Sequence, residues 1–205
     1  MKIGVLASHE GTTLQAVLDA CAQRSLPAEV ALVVSNNSAS GALRRARAAH
    51  VPTLHVSDVT HPDPNERDLA ICSSLRSAEV EVVLLAGFMK KLGPLTLEAF
   101  AGRILNTHPA LLPKFGGPGM FGAHVHRAVL ASGDEVSGAS VHLVEREYDT
   151  GPVIAQVRVK VALNDTVETL AQRVQAAERE LVIRVLREFS RNRRFLPSLP
   201  DAEGC

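Results

Sequence analysis

An apolar run from Val82 to Ala86, rich in β-branched residues, most constrains what this chain can fold into. Such a run is typical of a strand buried on both faces, as in a parallel sheet covered by helices. A second run, Ile104 to Asn106, has the same character and ends in polar residues. In open α/β sheets, ligands bind outside the carboxyl ends of the strands. Asn106 and His108 are therefore the first candidates for chemistry.

Strands and helices alternate along the rest of the chain at the spacing of βαβ units, which predicts an α/β fold with a mostly parallel sheet. Thr12 to Gln15 has the form of a capping box and predicts the start of the first helix. The last helix has a single apolar stripe and is predicted to be long. The predicted strands are 2–7, 29–34, 53–56, 80–86, 104–106, 138–144 and 153–161, and the later helices are 40–49, 66–77, 94–100, 123–131 and 167–189.

Length and charge bound the class of protein. The chain has 205 residues, is 46% hydrophobic and carries 22 basic and 22 acidic residues. We therefore expect one domain over 1–190, with 191–205 as a flexible tail, and no electrostatic preference for nucleic acid. No apolar run is long enough to span a membrane or to form a signal peptide, so we expect a cytoplasmic protein without a membrane partner. Composition leaves a monomer and a homodimer open.

Cysteine and histidine spacing does not suggest a metal centre. The three cysteines are Cys21, Cys72 and Cys205, and they contain no C-x-x-C motif. Free thiols of this kind are mostly core or tail residues, so neither a disulfide framework nor a zinc site is expected. His124 and His126 lie two residues apart at a loop-to-helix junction, where such positions do not share a face. The predicted metal complement is none.

The turn Gly11-Thr12-Thr13 is the first of three candidate binding features. It follows the first strand and opens a helix, so its backbone N–H groups and the helix dipole favour an anion such as a phosphate. An ordinary βα turn is the alternative interpretation. Glu10 would repel a phosphate by about 1 kcal/mol when well solvated.

The other two features are Asn106-x-His108 and the acidic run around Asp149. A histidine can act as a general acid, and a neighbouring amide can stabilise a developing oxyanion. A carboxylate facing His108 would raise its pKa and hold its tautomer. A solvated loop histidine and a solvated acidic turn are the alternatives. On residue types alone these alternatives are favoured.

Four segments together resemble the folate-dependent formyltransferase superfamily. They are 84–89, the string 101–113 that contains N-x-H-P-x-L-L-P, 138–142, and 148–154 with its D-x-G-P. The motifs are shared by the whole superfamily. Within it, the chain most resembles the phosphoribosylglycinamide formyltransferases, because its length suggests no added domain. The resemblance implies a Rossmann-like, mostly parallel twisted sheet flanked by helices, with a long C-terminal helix.

The resemblance also implies the reaction and its residues. A formyl group would pass from 10-formyltetrahydrofolate, the co-substrate, to the amine of N1-(5-phosphoribosyl)glycinamide in purine biosynthesis, with no metal. Asn106 and His108 would stabilise a tetrahedral intermediate, and Asp149 would assist proton transfer. The ribonucleotide would contact Gly11, Thr12, Thr13, Pro109, Gln175 and Glu178. The folate would contact Phe88, Met89, Lys90, Lys91, Leu92, Asn106, Glu145, Arg146, Glu147, Tyr148 and Asp149.

The sequence departs from the family pattern in three places. The family's phosphate turn is S-G-x-G-S/T-N, whereas Ser8 to Thr13 lacks the first glycine and the asparagine. An arginine at the start of the third helix in some members has no clear counterpart among residues 64–67. The loop Gly116 to Gly122 is longer than in some members, and one hypothesis is that it forms a lid over the substrates.

Three alternative functions remain open on sequence grounds. A formyltetrahydrofolate hydrolase uses similar groups with water as the acceptor, but it resembles this chain with an added N-terminal domain. A methionyl-tRNA formyltransferase adds a C-terminal RNA-binding domain, and an uncharged chain suits tRNA poorly. A non-catalytic nucleotide-binding module could share the fold, because fold does not determine function.

Overall fold

The computed structural model describes residues 1–192, which divide into two compact units, 1–106 and 107–192. The boundary falls within strand β5, Ile104–His108. The single domain predicted over 1–190 stays a prediction. Of the predicted tail 191–205, Arg191 and Asn192 are helical, and residues 193–205 lie outside the described residues.

The first unit is a parallel sheet with helices packed against it. Its strands have the order β3-β2-β1-β4-β5, and all four pairings are parallel. Strand β4 is buried at every position, as the apolar run predicted. The elements are β1 Lys2–Leu6, α1 Thr12–Ala22, β2 Glu29–Ser35, α2 Gly41–Ala48, β3 Thr53–His55, α3 Pro64–Ser77, β4 Val82–Leu85 and α4 Pro94–Ala99.

The predicted capping box at the start of α1 is wrong. Gly11, not Thr12, is the N-cap residue, and it adopts a left-handed conformation with φ +69°. A glycine has no side chain that could cap the helix, and its left-handed backbone is what the turn requires. The Gln15 side chain bonds to Asp19 and Arg45 instead of reaching back to the start of the helix.

Helix α4 is capped by a side chain from the neighbouring helix α3. Asp68 is 4% exposed, and its carboxylate accepts hydrogen bonds from the backbone N–H groups of Leu95 and Thr96 and from the Thr96 hydroxyl. The capping residue Gly93 carries no side chain, and a Cβ there would lie 2.3 Å from the Asp68 carboxylate. Asp68 therefore fixes the segment that joins β4 to α4.

Replacing Asp68 with alanine should lower the free energy of unfolding by about 3 kcal/mol, because buried N–H and O–H donors would lose a charged acceptor. The matched control is Asp63→Ala, which removes the exposed N-cap of α3 and should cost about 1 kcal/mol. Urea unfolding at neutral pH measures both. Equal losses in the free energy of unfolding for the two variants would show that the buried cap from α3 stabilises the protein no more than an exposed N-cap does.

The second unit contains an antiparallel strand pair and the long last helix. Strands β6 Val136–Leu143 and β7 Val153–Lys160 pair along their length. Helix α5, Ala123–Ser132, and helix α6, Val167–Asn192, pack together, and α6 also covers both strands. The predicted stripe of α6 faces inward: Leu170, Val174, Leu181 and Val185 are at most 2% exposed.

The predicted fold class is confirmed. Four strand pairings are parallel, the β6–β7 pairing is antiparallel, and a long C-terminal helix is present. Strand and helix bounds differ from the predicted ones by a few residues at the ends. Within residues 1–192, no helix combines the length and the apolar character needed to cross a membrane.

Candidate active site

Strand β5 carries two of the predicted catalytic residues. Asn106 and His108 are alternate residues of the strand, so their side chains leave it on the same face. Asn106 is half-buried, whereas His108 is only 3% exposed. The position of both residues at the carboxyl end of a parallel strand agrees with the sequence prediction.

Both ring nitrogens of His108 face acceptor oxygens of the second unit. Nε2 lies 2.7 Å from the Phe115 carbonyl oxygen, and Nδ1 lies 3.5 Å from Oδ2 of Asp149. A carbonyl can only accept a hydrogen bond, so Nε2 carries a hydrogen. Nδ1 is therefore the basic nitrogen of the neutral ring, and a proton placed there would face a carboxylate.

Asp149 is held on three sides. Its Oδ2 accepts the Gly117 N–H at 2.9 Å, and its Oδ1 lies 3.4 Å from Nε2 of His142. His142 in turn donates from Nδ1 to the Leu143 carbonyl at 2.8 Å. The Asp149 backbone is left-handed, with φ +57°. The carboxylate therefore has two imidazoles and one backbone amide around it.

Burial and the neighbouring groups act on the pKa of His108 in opposite directions. Burial disfavours the imidazolium and lowers the pKa, although Asp149 and the Phe115 carbonyl both act to raise it. The predicted influence of the carboxylate is thus present but is outweighed. For Asp149, burial opposes the charged form, yet His142, the Gly117 N–H and His108 together hold its pKa below the usual range.

The pair His124-x-His126 points into different surroundings. His124 is exposed and His126 is 2% exposed, so the two side chains diverge as their spacing predicted. Burial, and secondarily the nearby His108, lowers the pKa of His126. Among residues 1–192, no group of three or more histidine, cysteine or acidic side chains is arranged to hold a metal ion.

The predicted phosphate turn lies in the first unit, against the start of α2. The Ala42 N–H donates to the His9 carbonyl, and Nε of Arg45 donates to the Glu10 carbonyl at 2.8 Å. The Glu10 carboxylate pairs with Arg44 at 3.3 Å, and both side chains are largely exposed. Two arginines therefore stand beside the one acidic residue of the turn.

The predicted folate segment of the first unit, 88–92, is linked by hydrogen bonds to residues that lie just after β1 and β2. The Met89 N–H donates to the Ser8 hydroxyl at 2.8 Å, and that hydroxyl donates to Asn36 at 2.5 Å. Lys90 pairs with Asp58 at 2.8 Å. Phe88 is half-buried, Leu92 is buried, and Met89, Lys90 and Lys91 are exposed.

Arg67 is the candidate for the family's arginine at the start of the third helix, which had no clear counterpart in the sequence. Its guanidinium lies 3.5 Å from Asp58, the same carboxylate that Lys90 contacts, and it donates to the His61 and Pro62 carbonyls. Arg67 is thus the cation of residues 64–67 that stands beside the predicted folate segment.

The remaining predicted contacts lie in the second unit. Glu178 of α6 is 9% exposed, Gln175 of the same helix is exposed, and Pro109 is half-buried. Glu145, Arg146, Glu147 and Tyr148 form the exposed loop that leads to Asp149. The roles of these residues stay predictions.

Sequence reasoning missed three groups that surround the predicted catalytic pair. His142 was part of a recognised segment, but its place on an alternating strand gave no sign that it faces Asp149. The Phe115 carbonyl and the Gly117 N–H are backbone groups. Because nearly every residue has them, the sequence does not show which ones will contact the site. Only the folded loop brings them to His108 and Asp149.

Comparisons with known proteins give a consistent result. A family model described as formyl transferase matches residues 1–186. The phosphoribosylglycinamide formyltransferase of Escherichia coli K12 is 40% identical over 193 residues, covering 94% of this chain and 89% of that protein. The chloroplastic phosphoribosylglycinamide formyltransferase of Arabidopsis thaliana is 39% identical over 90% of this chain. This chain spans 64% of the Arabidopsis protein, less than two thirds of its length.

Solved structures agree with the sequence relatives. The glycinamide ribonucleotide transformylase 1 of Symbiobacterium toebii superposes with a TM-score of 0.87 at 39% identity, covering 94% of this chain and 89% of that one. A formyltetrahydrofolate deformylase of Pseudomonas syringae gives a TM-score of 0.82 at 26% identity, covering 94% of this chain and 62% of that one. Both similarities extend over nearly all of this chain.

Proposed function

This chain belongs to the formyl transferase family, and on that premise we propose that it transfers a formyl group from 10-formyltetrahydrofolate to the amine of N1-(5-phosphoribosyl)glycinamide. The identity to phosphoribosylglycinamide formyltransferases supports this choice of acceptor. The observation that carries the chemistry is the contact of His108 with Asp149, at the end of a parallel strand. The reaction is a formylation step of purine biosynthesis.

His108 and Asp149 divide the proton transfer between them. Because burial lowers the pKa of His108, the ring rests neutral at pH values where an ordinary histidine is partly charged, with Nδ1 free of a hydrogen. As the substrate amine attacks the formyl carbon, Nδ1 takes up the proton that the amine loses. The imidazolium so formed faces the Asp149 carboxylate, which stabilises its charge. The same proton can then pass to the leaving nitrogen of the folate.

Negative charge develops on the formyl oxygen in the tetrahedral intermediate. The positive charge of His108 and the side-chain amide of Asn106 stabilise it, as polar groups fixed in place before the reaction do. Phosphate binding at Gly11, Thr12 and Thr13 and pterin binding along Phe88 to Leu92 position the two substrates. Pro109, Gln175 and Glu178 complete the ribonucleotide contacts, and Glu145 to Tyr148 complete the folate contacts.

One assay distinguishes the proposed function from its alternatives. Purified protein is mixed with 10-formyltetrahydrofolate, and absorbance is followed with and without the ribonucleotide. Turnover only with the ribonucleotide is the expected result. Deformylation at the same rate with and without the ribonucleotide would indicate a hydrolase. The structural similarity to a formyltetrahydrofolate deformylase is the observation that favours this alternative. No turnover under saturating conditions would favour a binding module.

Replacing Glu10 with glutamine should tighten ribonucleotide binding by about two- to five-fold. The change removes a negative charge beside the proposed phosphate turn, and the effect is small because Glu10 is exposed and already paired with Arg44. Calorimetric titration with the ribonucleotide at low salt measures the change. Glu98→Gln, on the exposed side of α4, is the control for net charge. Weaker or unchanged binding in Glu10→Gln would place the phosphate elsewhere.

A further inference from the structure

The start of the loop after β5 is fixed to β6 and β7 by one polar cluster, which we define as Ser140 and Gln156 with the backbone of residues 110–112. The Ser140 hydroxyl donates to the Ala110 carbonyl at 2.6 Å and accepts the Leu112 N–H at 3.0 Å. Nε2 of Gln156 donates to the Leu112 carbonyl at 3.0 Å and to the Ser140 hydroxyl at 2.9 Å. Both polar groups of the Leu112 backbone are therefore held by side chains.

The cluster requires a donor at Gln156. A hydroxyl has one hydrogen and two lone pairs. Ser140 gives its hydrogen to Ala110 and receives hydrogens from Leu112 and Gln156. The Leu112 carbonyl can also only accept. The amide nitrogen of Gln156 therefore faces two acceptors, and a carboxylate of the same shape could not replace it.

Leu112 links this cluster to the catalytic pair. Its Cδ2 atom lies 2.6 Å from the position that a Cβ on Gly116 would take, and the Cβ of Asp149 lies 3.3 Å from the same position. Leu112 therefore packs against the backbone of Gly116. The residues on either side of Gly116 are Phe115, whose carbonyl accepts from His108, and Gly117, whose N–H donates to Asp149.

We propose that Gln156 is a positioning residue for the formyl transfer: it fixes Leu112, and Leu112 holds Phe115 and Gly117 against His108 and Asp149. This inference rests on the proposed function for its effect on rate. Gln156 is exposed on β7 and its side chain bonds to Leu112 and Ser140, so it acts on the reaction through the loop. Small misplacements of catalytic groups have large effects on rate, so the hydrogen bonds of Gln156 can affect kcat without contacting the substrates.

The test is Gln156→Glu, which keeps the size of the side chain and removes both hydrogens. We expect kcat to fall about ten-fold, with KM for each substrate changed by less than about two-fold. Arg158→Gln is the matched control, because Arg158 is the next residue on the same exposed face of β7. Gln156→Met, similar in length and uncharged, serves if the glutamate variant does not fold.

Two further measurements separate positioning from a merely structural role. The Phe115 carbonyl raises the pKa of His108, so loosening it should move the NMR titration of the His108 ring to lower pH. Gln156→Met is used for this measurement, because it removes the hydrogen bonds without adding a charge. In a His108→Ala background, Gln156→Glu should change kcat by less than about two-fold, because its effect passes through His108.

Loss of thermal stability with a normal kcat and an unchanged His108 titration would overturn the proposal. So would a ten-fold loss of kcat that persists without His108. The titration needs no substrate, so it reports on Gln156 even if the protein fails to formylate the ribonucleotide. Failure of the positioning role and failure of the proposed function are thus distinguishable.

Discussion

Replacing His108 with alanine should lower kcat by about 10²-fold or more, while the affinity for 10-formyltetrahydrofolate stays nearly unchanged. The variant loses the group that accepts the amine proton and the cation that forms beside the developing oxyanion, a contribution typical of general acid–base catalysis. Binding is expected to survive because the predicted folate contacts include neither ring nitrogen of His108. Initial rates with both substrates give kcat, and calorimetry without the ribonucleotide gives the folate affinity.

The control for this experiment is His61→Ala. His61 is a half-buried histidine of the first unit that contacts Thr60, and it has no place in the proposed reaction. It should retain the parent kcat. Near-normal turnover in His108→Ala would remove His108 from the mechanism, whereas a similar loss in both variants would point to damage to the fold.

Replacing Asp149 with asparagine should lower kcat by about 10²-fold and move the titration of His108 to lower pH. Asparagine tolerates the left-handed backbone of this residue and still offers an oxygen to the Gly117 N–H. What it removes is the charge that faces Nδ1 of His108. Since that charge raises the pKa of His108 against the effect of burial, its loss lets the pKa fall further.

Steady-state rates and NMR titration of the His108 ring measure the two effects together. Glu135 is an exposed acidic residue just before β6, and Glu135→Gln controls for the change in net charge. If Asp149→Asn slowed turnover but left the titration of His108 unchanged, Asp149 would act on the substrate without passing through the imidazole. A parent-like kcat would exclude it from the reaction.

The strands of the parallel sheet could be predicted from the sequence because a strand that is buried on both faces is a continuous run of apolar residues. The runs ending at Ala86 and Asn106 show it, and their carboxyl ends carry the predicted site. Asp149 could be matched to His108 by chemical complementarity and family resemblance. Hydrogen-bond partners supplied by the backbone, such as the Phe115 carbonyl, leave no such mark.

Two features of the folded state could not be predicted from the sequence. Thr12 to Gln15 has the letters of a capping box, but the left-handed Gly11 occupies the capping position and Arg45 engages Gln15. The pKa of His108 was predicted from its charged neighbour alone. The depth of burial, which decides the net direction, depends on how distant segments pack over the ring.

The hydrogen bond from His108 to the Phe115 carbonyl has an evolutionary consequence. Every amino acid supplies the same carbonyl, so point mutations at position 115 leave the tautomer of the imidazole intact. An insertion or deletion between β5 and α5 would instead move that carbonyl away from Nε2. We therefore expect natural variation to keep the length of this loop up to Phe115, with added residues falling beyond Gly117. Gly116 should stay glycine, because a Cβ there would lie 2.6 Å from the Leu112 side chain.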